Sequence, residues 1–152
     1  VRLGQRVALQ PSQAYRLTLD VRTRDPEADL HLRFCHRHLI HPTEWNPACV
    51  DLGQRVRDTE GEWQHLEFDF HSGDLGSLGL KLQSPLVLEL ANRREYDMNT
   101  KPQTLLEIDN LHLQHAGSGQ ELLRNGNFEH GIDHWFGYAE ATDLLTQPQH
   151  FE

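Results

Sequence analysis

No apolar run in this chain approaches the roughly 18 residues of a membrane-spanning helix, so direct insertion into a bilayer is not expected of it. Nor does a basic stretch followed by an apolar one, the pattern of an export leader, follow Val1. Positive charge is in deficit: Lys and Arg total 14 against 23 Asp and Glu, a formal net charge of -9. That balance repels phosphate backbones and anionic lipid, so nucleic acid is not an expected ligand and an uncharged partner fits better. The motifs of common enzyme chemistry are missing too. There is no G-x-S-x-G elbow, no glycine-rich phosphate loop and no H-E-x-x-H, and the scattered carboxylates cannot be paired into a glycosidase acid and nucleophile from sequence. The expectation is a domain without catalytic activity. No long amphipathic helix, heptad, internal repeat or low-complexity tract is visible.

What is present suits one folded unit. A chain of 152 residues with a hydrophobic fraction of 37% and a charged fraction of 24% has the composition of an ordinary globular domain. It begins directly in a strand-like segment and stops at Phe151-Glu152, which reads as a piece of a longer polypeptide. Residues 1–152 are expected to form a single β-sandwich domain, with 1–115 as its main part and 121–152 as a C-terminal segment that completes it. Beyond the linker Ala116-Gly117-Ser118-Gly119-Gln120, read as flexible, only about thirty residues remain, too few for a second core.

Period-two alternation dominates the readable segments. Tyr15, Leu17, Leu19 and Val21 share one face, as do Leu30, Leu32 and Phe34, and again Leu66, Phe68 and Phe70. Further runs at Gly79 to Leu82, Pro85 to Leu90 and Leu105 to Leu113 continue the series. Turn signals at Asp25-Pro26, Ser72-Gly73-Asp74 and Lys101-Pro102 separate them. The apolar face of the last run shifts from Leu106 and Ile108 to Leu111 and Leu113, which predicts a bulge near Asp109-Asn110. Strands of this kind, apolar on one face and polar on the other, indicate an antiparallel sandwich rather than alternating β/α units.

The two cysteines, Cys35 and Cys49, flank the irregular stretch HRHLIHPTEWNPA. A disulfide there would close a loop of about 15 residues and remove on the order of 3 kcal/mol of unfolded-state freedom. Two cysteines and no others also suit an exported domain; two unbridged buried thiols are the alternative.

The order of several short motifs resembles a galactose-binding-like, jelly-roll carbohydrate-binding module. The landmarks are Gly4-Gln5-Arg6-Val7, Pro11-Ser12-Gln13-Ala14-Tyr15-Arg16-Leu17-Thr18-Leu19, Gly61-Glu62-Trp63-Gln64-His65-Leu66 and Ile108-Asp109-Asn110-Leu111-His112-Leu113. The opening strand of such modules, N-G-x-F-E with a following Trp, stands here at the other end, as Asn125-Gly126-Asn127-Phe128-Glu129 and Trp135. Circular permutation is the economical reading, because the ends of a jelly roll usually lie close together. The competing reading is a fragment that starts inside one module and ends inside the next. The N-G-x-F-x-x-G-x-x-x-W-F stretch after a cysteine-bearing sandwich also resembles domains of bacterial O-antigen ligase or polymerase-type membrane proteins. That likeness implies an extracytoplasmic place, periplasmic or at the cell surface, within a larger protein.

The resemblance implies a glycan or polysaccharide as partner, and a structural calcium ion between Asp109 and Glu129 completed by carbonyls. Sugar recognition calls for an exposed ring beside planar polar groups. Trp45 beside Glu44 and Asn46, and Tyr96 among Asn92, Arg93, Arg94, Glu95 and Asp97, offer that; Trp135 and Tyr138 are further candidate rings, although Trp63 and Trp135 match family positions that pack in the core. The carbohydrate site is accordingly placed at Trp45, Tyr96, Asn92 and Arg94. His36, His38 and His41, with His31 nearby, form the densest histidine group, for which zinc or nickel is the functional reading and a polar loop face the bland one. Besides the sugar-binding reading stand a structural or protein-interaction sandwich that lacks a sugar site, and a small hydrolase.

Overall fold

A computed structural model of the chain describes residues 2–26, 28, 30–36, 49–52, 59–73, 75, 86–92 and 106–138. Eight strands lie in these residues: β1 (Arg2–Arg6), β2 (Ala14–Arg22), β3 (Leu30–His36), β4 (Cys49–Asp51), β5 (Gln64–His71), β6 (Leu86–Asn92), β7 (Glu107–His115) and β8 (Phe136–Tyr138). They form a five-stranded sheet in the order β4-β3-β6-β1-β8 and a three-stranded sheet in the order β5-β2-β7, every pair antiparallel. No helix occurs among the described residues. The all-β sandwich expected from the alternation is the fold observed. The expected run at Gly79 to Leu82 and the turn at Lys101-Pro102 lie outside the described residues.

The alternation works as the pleat requires. Tyr15, Leu17, Leu19 and Val21 of β2 meet Leu30, Leu32 and Phe34 of β3 and Leu86, Leu88 and Leu90 of β6 in one core, which Leu111 and Leu113 of β7 complete. Each of these large side chains contributes roughly 1.5–3 kcal/mol by leaving water. Intervening residues of β2, Arg16, Thr18, Asp20 and Arg22, stand on the outer face, where polar groups reach solvent or one another. β6 differs. Its outward Val87, Glu89 and Ala91 are buried as well, so LVLELAN is covered on both faces.

The bulge lies where the apolar face shifts. Register runs Asp20 to Asp109 and then Thr18 to His112, so Asn110 and Leu111 oppose the single Leu19. Asn110 takes a φ of 48°, in the left-handed region that Asn tolerates better than most residues.

The segment after β7 does not behave as the flexible linker expected at residues 116–120. Gly119 N–H donates to His115 O at 2.8 Å and His115 N–H to Gln120 O at 3.0 Å, giving a tight turn that returns the chain along β7. Glu121 fastens the return: its Oε1 accepts the Leu113 and Leu123 amides, each at 3.0 Å, and its Oε2 lies 3.0 Å from His112 Nδ1. Beyond it, Arg124 exchanges two main-chain hydrogen bonds with the side chain of Gln5 on β1, 2.7 and 2.8 Å long. β8 then pairs with β1 from Arg2 to Gly4. The C-terminal segment thus runs from the edge of one sheet to the edge of the other.

Candidate functional site

The outer face of the three-stranded sheet carries its side chains in rows, because facing residues of β5, β2 and β7 fall in register. One row is Trp63, Arg22 and Glu107. Arg22 and Glu107 are directly opposite on β2 and β7, and the guanidinium meets the carboxylate as a fork, with distances of 2.6 and 2.9 Å. That hydrogen bonding to Glu107 holds the guanidinium pKa above its ordinary value. Its planar end lies 4.6 Å from the centre of the Trp63 ring, within cation–π range. Trp63, just ahead of β5, remains 42% exposed.

The next row is His65, Asp20 and Asp109, with Asn110 of the bulge beside it. Asp20 uses one oxygen for each neighbour: Oδ1 lies 2.7 Å from His65 Nδ1, and Oδ2 accepts from the Asn110 side-chain amide at 2.8 Å. The Asn110 hydrogen bond, aided by His65, holds the Asp20 carboxyl below the usual carboxylate range against the opposing effect of partial burial. Farther along, Arg16 binds Asp69 with two bonds of 2.7 and 2.8 Å and reaches Glu67 at 3.1 Å. The described residues of the face thus form a polar lattice with the Trp63 ring set on it. Such an arrangement can stack a weakly polar ring face and offer fixed planar donors and acceptors to hydroxyls.

No family model matches the chain, and no curated protein matches it. The functional reading therefore rests on the geometry of the face.

Of the carbohydrate site placed from sequence, Trp45, Tyr96 and Arg94 lie outside the described residues. Asn92 is the last residue of β6, opposite Leu30. Trp63, expected in the core, is a correction: it extends the outward phase of β5 and meets solvent and Arg22 instead. Trp135 does pack inward. It is 6% exposed, donates from Nε1 to Asn125 O at 3.0 Å and lies against Phe128 with ring centroids 5.4 Å apart. Tyr138 ends β8 opposite Arg2.

Calcium at Asp109 and Glu129 finds no assembled shell among the described residues. Asp109 Oδ1 already accepts the Asn110 amide at 2.7 Å, and Glu129 is exposed. In the loop around Glu129, Asn125 Nδ2 donates to Gly131 O at 2.9 Å and Asp133 O at 3.1 Å. Among the described residues no group of three or more His, Cys, Asp or Glu is placed to hold a metal. Of the histidine group, His36 is buried, His31 lies 3.7 Å from Asp51, and His38 and His41 fall outside the described residues. Cys35 of β3 stands directly opposite Cys49 of β4, and no free cysteine occurs among the described residues.

On the far face of the five-stranded sheet, Glu89 is 0% exposed and its carboxylate meets Arg33 Nε at 2.8 Å and Cys35 Sγ at 3.8 Å. A charge so removed from water is tolerable because it is paired. Solvent does not reach it, which makes it a structural ion pair rather than a ligand group.

Reasoning from sequence missed Trp63, Arg22 and Glu107 as a set, though half the signal was there. In QHLEFDFH the apolar residues sit at even positions, so Trp63 shares parity with His65, Glu67 and Asp69 and must point outward. The pairing of Arg22 with Glu107, 85 residues apart, had no local signal.

Proposed function

We propose that this chain is a non-catalytic, carbohydrate-binding-like domain of a larger exported or membrane-anchored bacterial protein. The observation that carries the reading is the exposed Trp63 ring, held beside the Arg22–Glu107 pair on a polar sheet face. A jelly-roll, circularly permuted arrangement is supported by the chain's habit of changing sheets at nearly every connection and by the C-terminal segment reaching β1. An extracytoplasmic place is supported by reading Cys35 and Cys49 as disulfide partners. Facing residues of antiparallel strands have Cα atoms about 4.5–5.5 Å apart, inside the span a disulfide bridges. No helix among the described residues is long and apolar enough to cross a membrane.

A protein-interaction sandwich would rather present a broad apolar patch. The exposed large apolar residues described, Val50, Trp63 and Ile132, belong to different elements: β4, the start of β5 and the loop before β8.

The test is retention of the purified chain on immobilised polysaccharides, with Trp63→Ala as the decisive variant. Trp63→Ala is expected to weaken retention roughly tenfold or more, in keeping with loss of a stacked ring worth about 0.5–1.5 kcal/mol beyond its buried area, while its melting temperature changes little. If Trp63→Ala binds as the parent does, and Trp45→Ala or Tyr96→Ala does not, the site belongs to those residues instead.

A further inference from the structure

The Trp63 ring supplies an apolar surface but no direction, and a sugar site also needs groups that fix which hydroxyls point where. Resting on the sugar-binding reading, we propose that Asp20, His65 and Asn110 form the hydrogen-bonding half of the same site, and that the site takes an uncharged polysaccharide.

The placement follows from the pleat. His65 lies two residues beyond Trp63 on the same outward face, a separation of about 7 Å along a strand. Asp20 stands two residues before Arg22 on β2, so the ring row and the carboxylate row are neighbours across the whole sheet. A ligand stacked on Trp63 meets this second row without leaving the plane of the face.

The chemistry follows from the partners. Asp20 is ionised at neutral pH and accepts only, so His65 Nδ1 must carry the proton in their 2.7 Å contact. That leaves Nε2 as the second polar atom of the ring, and His65 is well exposed, its side chain 61% accessible. On the other side Asn110 spends an amide hydrogen on Asp20 and keeps its carbonyl oxygen as an acceptor. Two hydrogen-bonding groups, the His65 ring and the Asn110 carbonyl oxygen, are thus held about one carboxylate. Backbone holds them as well as hydrogen bonds do: Asn110 owes its position to the bulge, where its φ is 48°. Sugar hydroxyls, which both donate and accept, suit such a pair.

Charge selects the class. The same face carries Asp20, Glu67, Asp69, Glu107 and Asp109, and Arg16 and Arg22 between them are engaged, Arg16 with Asp69 and Glu67, Arg22 with Glu107. An anionic glycan would meet repulsion there, since five carboxylates outnumber the two β2 arginines, which are already paired with them.

The experiment measures affinity electrophoresis of the chain, His65→Ala and Asn110→Gly through gels containing neutral β-glucan, mannan, xylan or galactan, or anionic polygalacturonate. Asn110→Gly is chosen because glycine keeps the left-handed backbone while removing the amide. The parent is expected to be retarded by at least one neutral polysaccharide and not by polygalacturonate. Each variant should bind that polymer roughly three- to tenfold more weakly, the loss of one hydrogen bond, with a circular dichroism spectrum that shows the fold is kept. If a neutral polymer retards parent and both variants alike while Trp63→Ala escapes, the second row is overturned and the sugar reading stands. Retardation by polygalacturonate alone overturns the ligand class. No retardation by any polymer overturns the sugar reading and this inference together.

Discussion

Asp20 shows how a single side chain on a solvent face can be tuned by its neighbours. Its carboxyl titrates below the ordinary range because the Asn110 amide, and secondarily His65, bind the ionised form. The sign of the consequence is set by that direction. A native pKa depressed below the ~3.9 of an unperturbed Asp contributes stability that is fully present above that value and is lost as pH falls through the native pKa. Asp20→Asn removes the contribution. The stability gap between parent and Asp20→Asn, measured by urea unfolding, should therefore be widest near pH 6 and close toward about pH 2. A gap that stays constant across that range would show that the Asn110 and His65 contacts do not favour the ionised carboxylate. Arg22 follows the same logic in the other direction, but an arginine stays charged at any pH of interest, so its pairing with Glu107 matters for orientation rather than titration.

Among the elements, the stretch from Glu121 to Tyr138 depends on one close approach. Leu111 N–H donates to Gly126 O at 2.9 Å, and a Cβ placed on Gly126 would fall 1.8 Å from Leu111 O. Glycine at 126 is thus required by backbone meeting backbone: a side chain there forces the loop off β7. Gly126→Ala should cost about 3 kcal/mol, combining overpacking with a lost hydrogen bond, and should open the segment to protease. Gly119 makes the contrast. Its φ is 69° and nothing lies within 4 Å of where a Cβ would stand, so Gly119→Ala should cost only about 1–2 kcal/mol, from backbone strain alone. Equal losses in the two variants would rule out the steric account. Asn125 organises the same loop from within, its side chain bonded to Gly131 O, Asp133 O and the His130 amide.

For the whole molecule, the core is shared by both sheets, so anything that loosens the edge of one is felt in the other. β4 is a three-residue edge strand held only by β3 in the described sheet. The proposed Cys35–Cys49 bridge would pin that edge and close a loop of about 15 residues, worth on the order of 3 kcal/mol. Thermal melts with and without a thiol reductant should then differ by several degrees, and Cys35→Ser should melt near the reduced parent. If reductant leaves the melt unmoved and both cysteines react with a thiol reagent after unfolding without reduction, the bridge is absent.

The alternation of β2, β3 and β5 was legible in the sequence because the pleat repeats every two residues and each segment carries its own inward face. The bulge at Asp109-Asn110 was legible for the same reason, since a single inserted residue must reverse the phase of the residues after it. Trp63 shows where the two sources of inference diverged: family likeness placed it in the core, while the parity of β5 pointed it outward, and the fold follows the parity. Beyond that lie the contacts that carry the candidate site. Arg22 meets Glu107, His65 meets Asp20, and Asp20 meets Asn110 across 85, 45 and 90 residues of chain. Local periodicity by itself determined which face of each strand seeks water; only the register between strands, a property of the folded sheet, decided which polar groups stand side by side on that face.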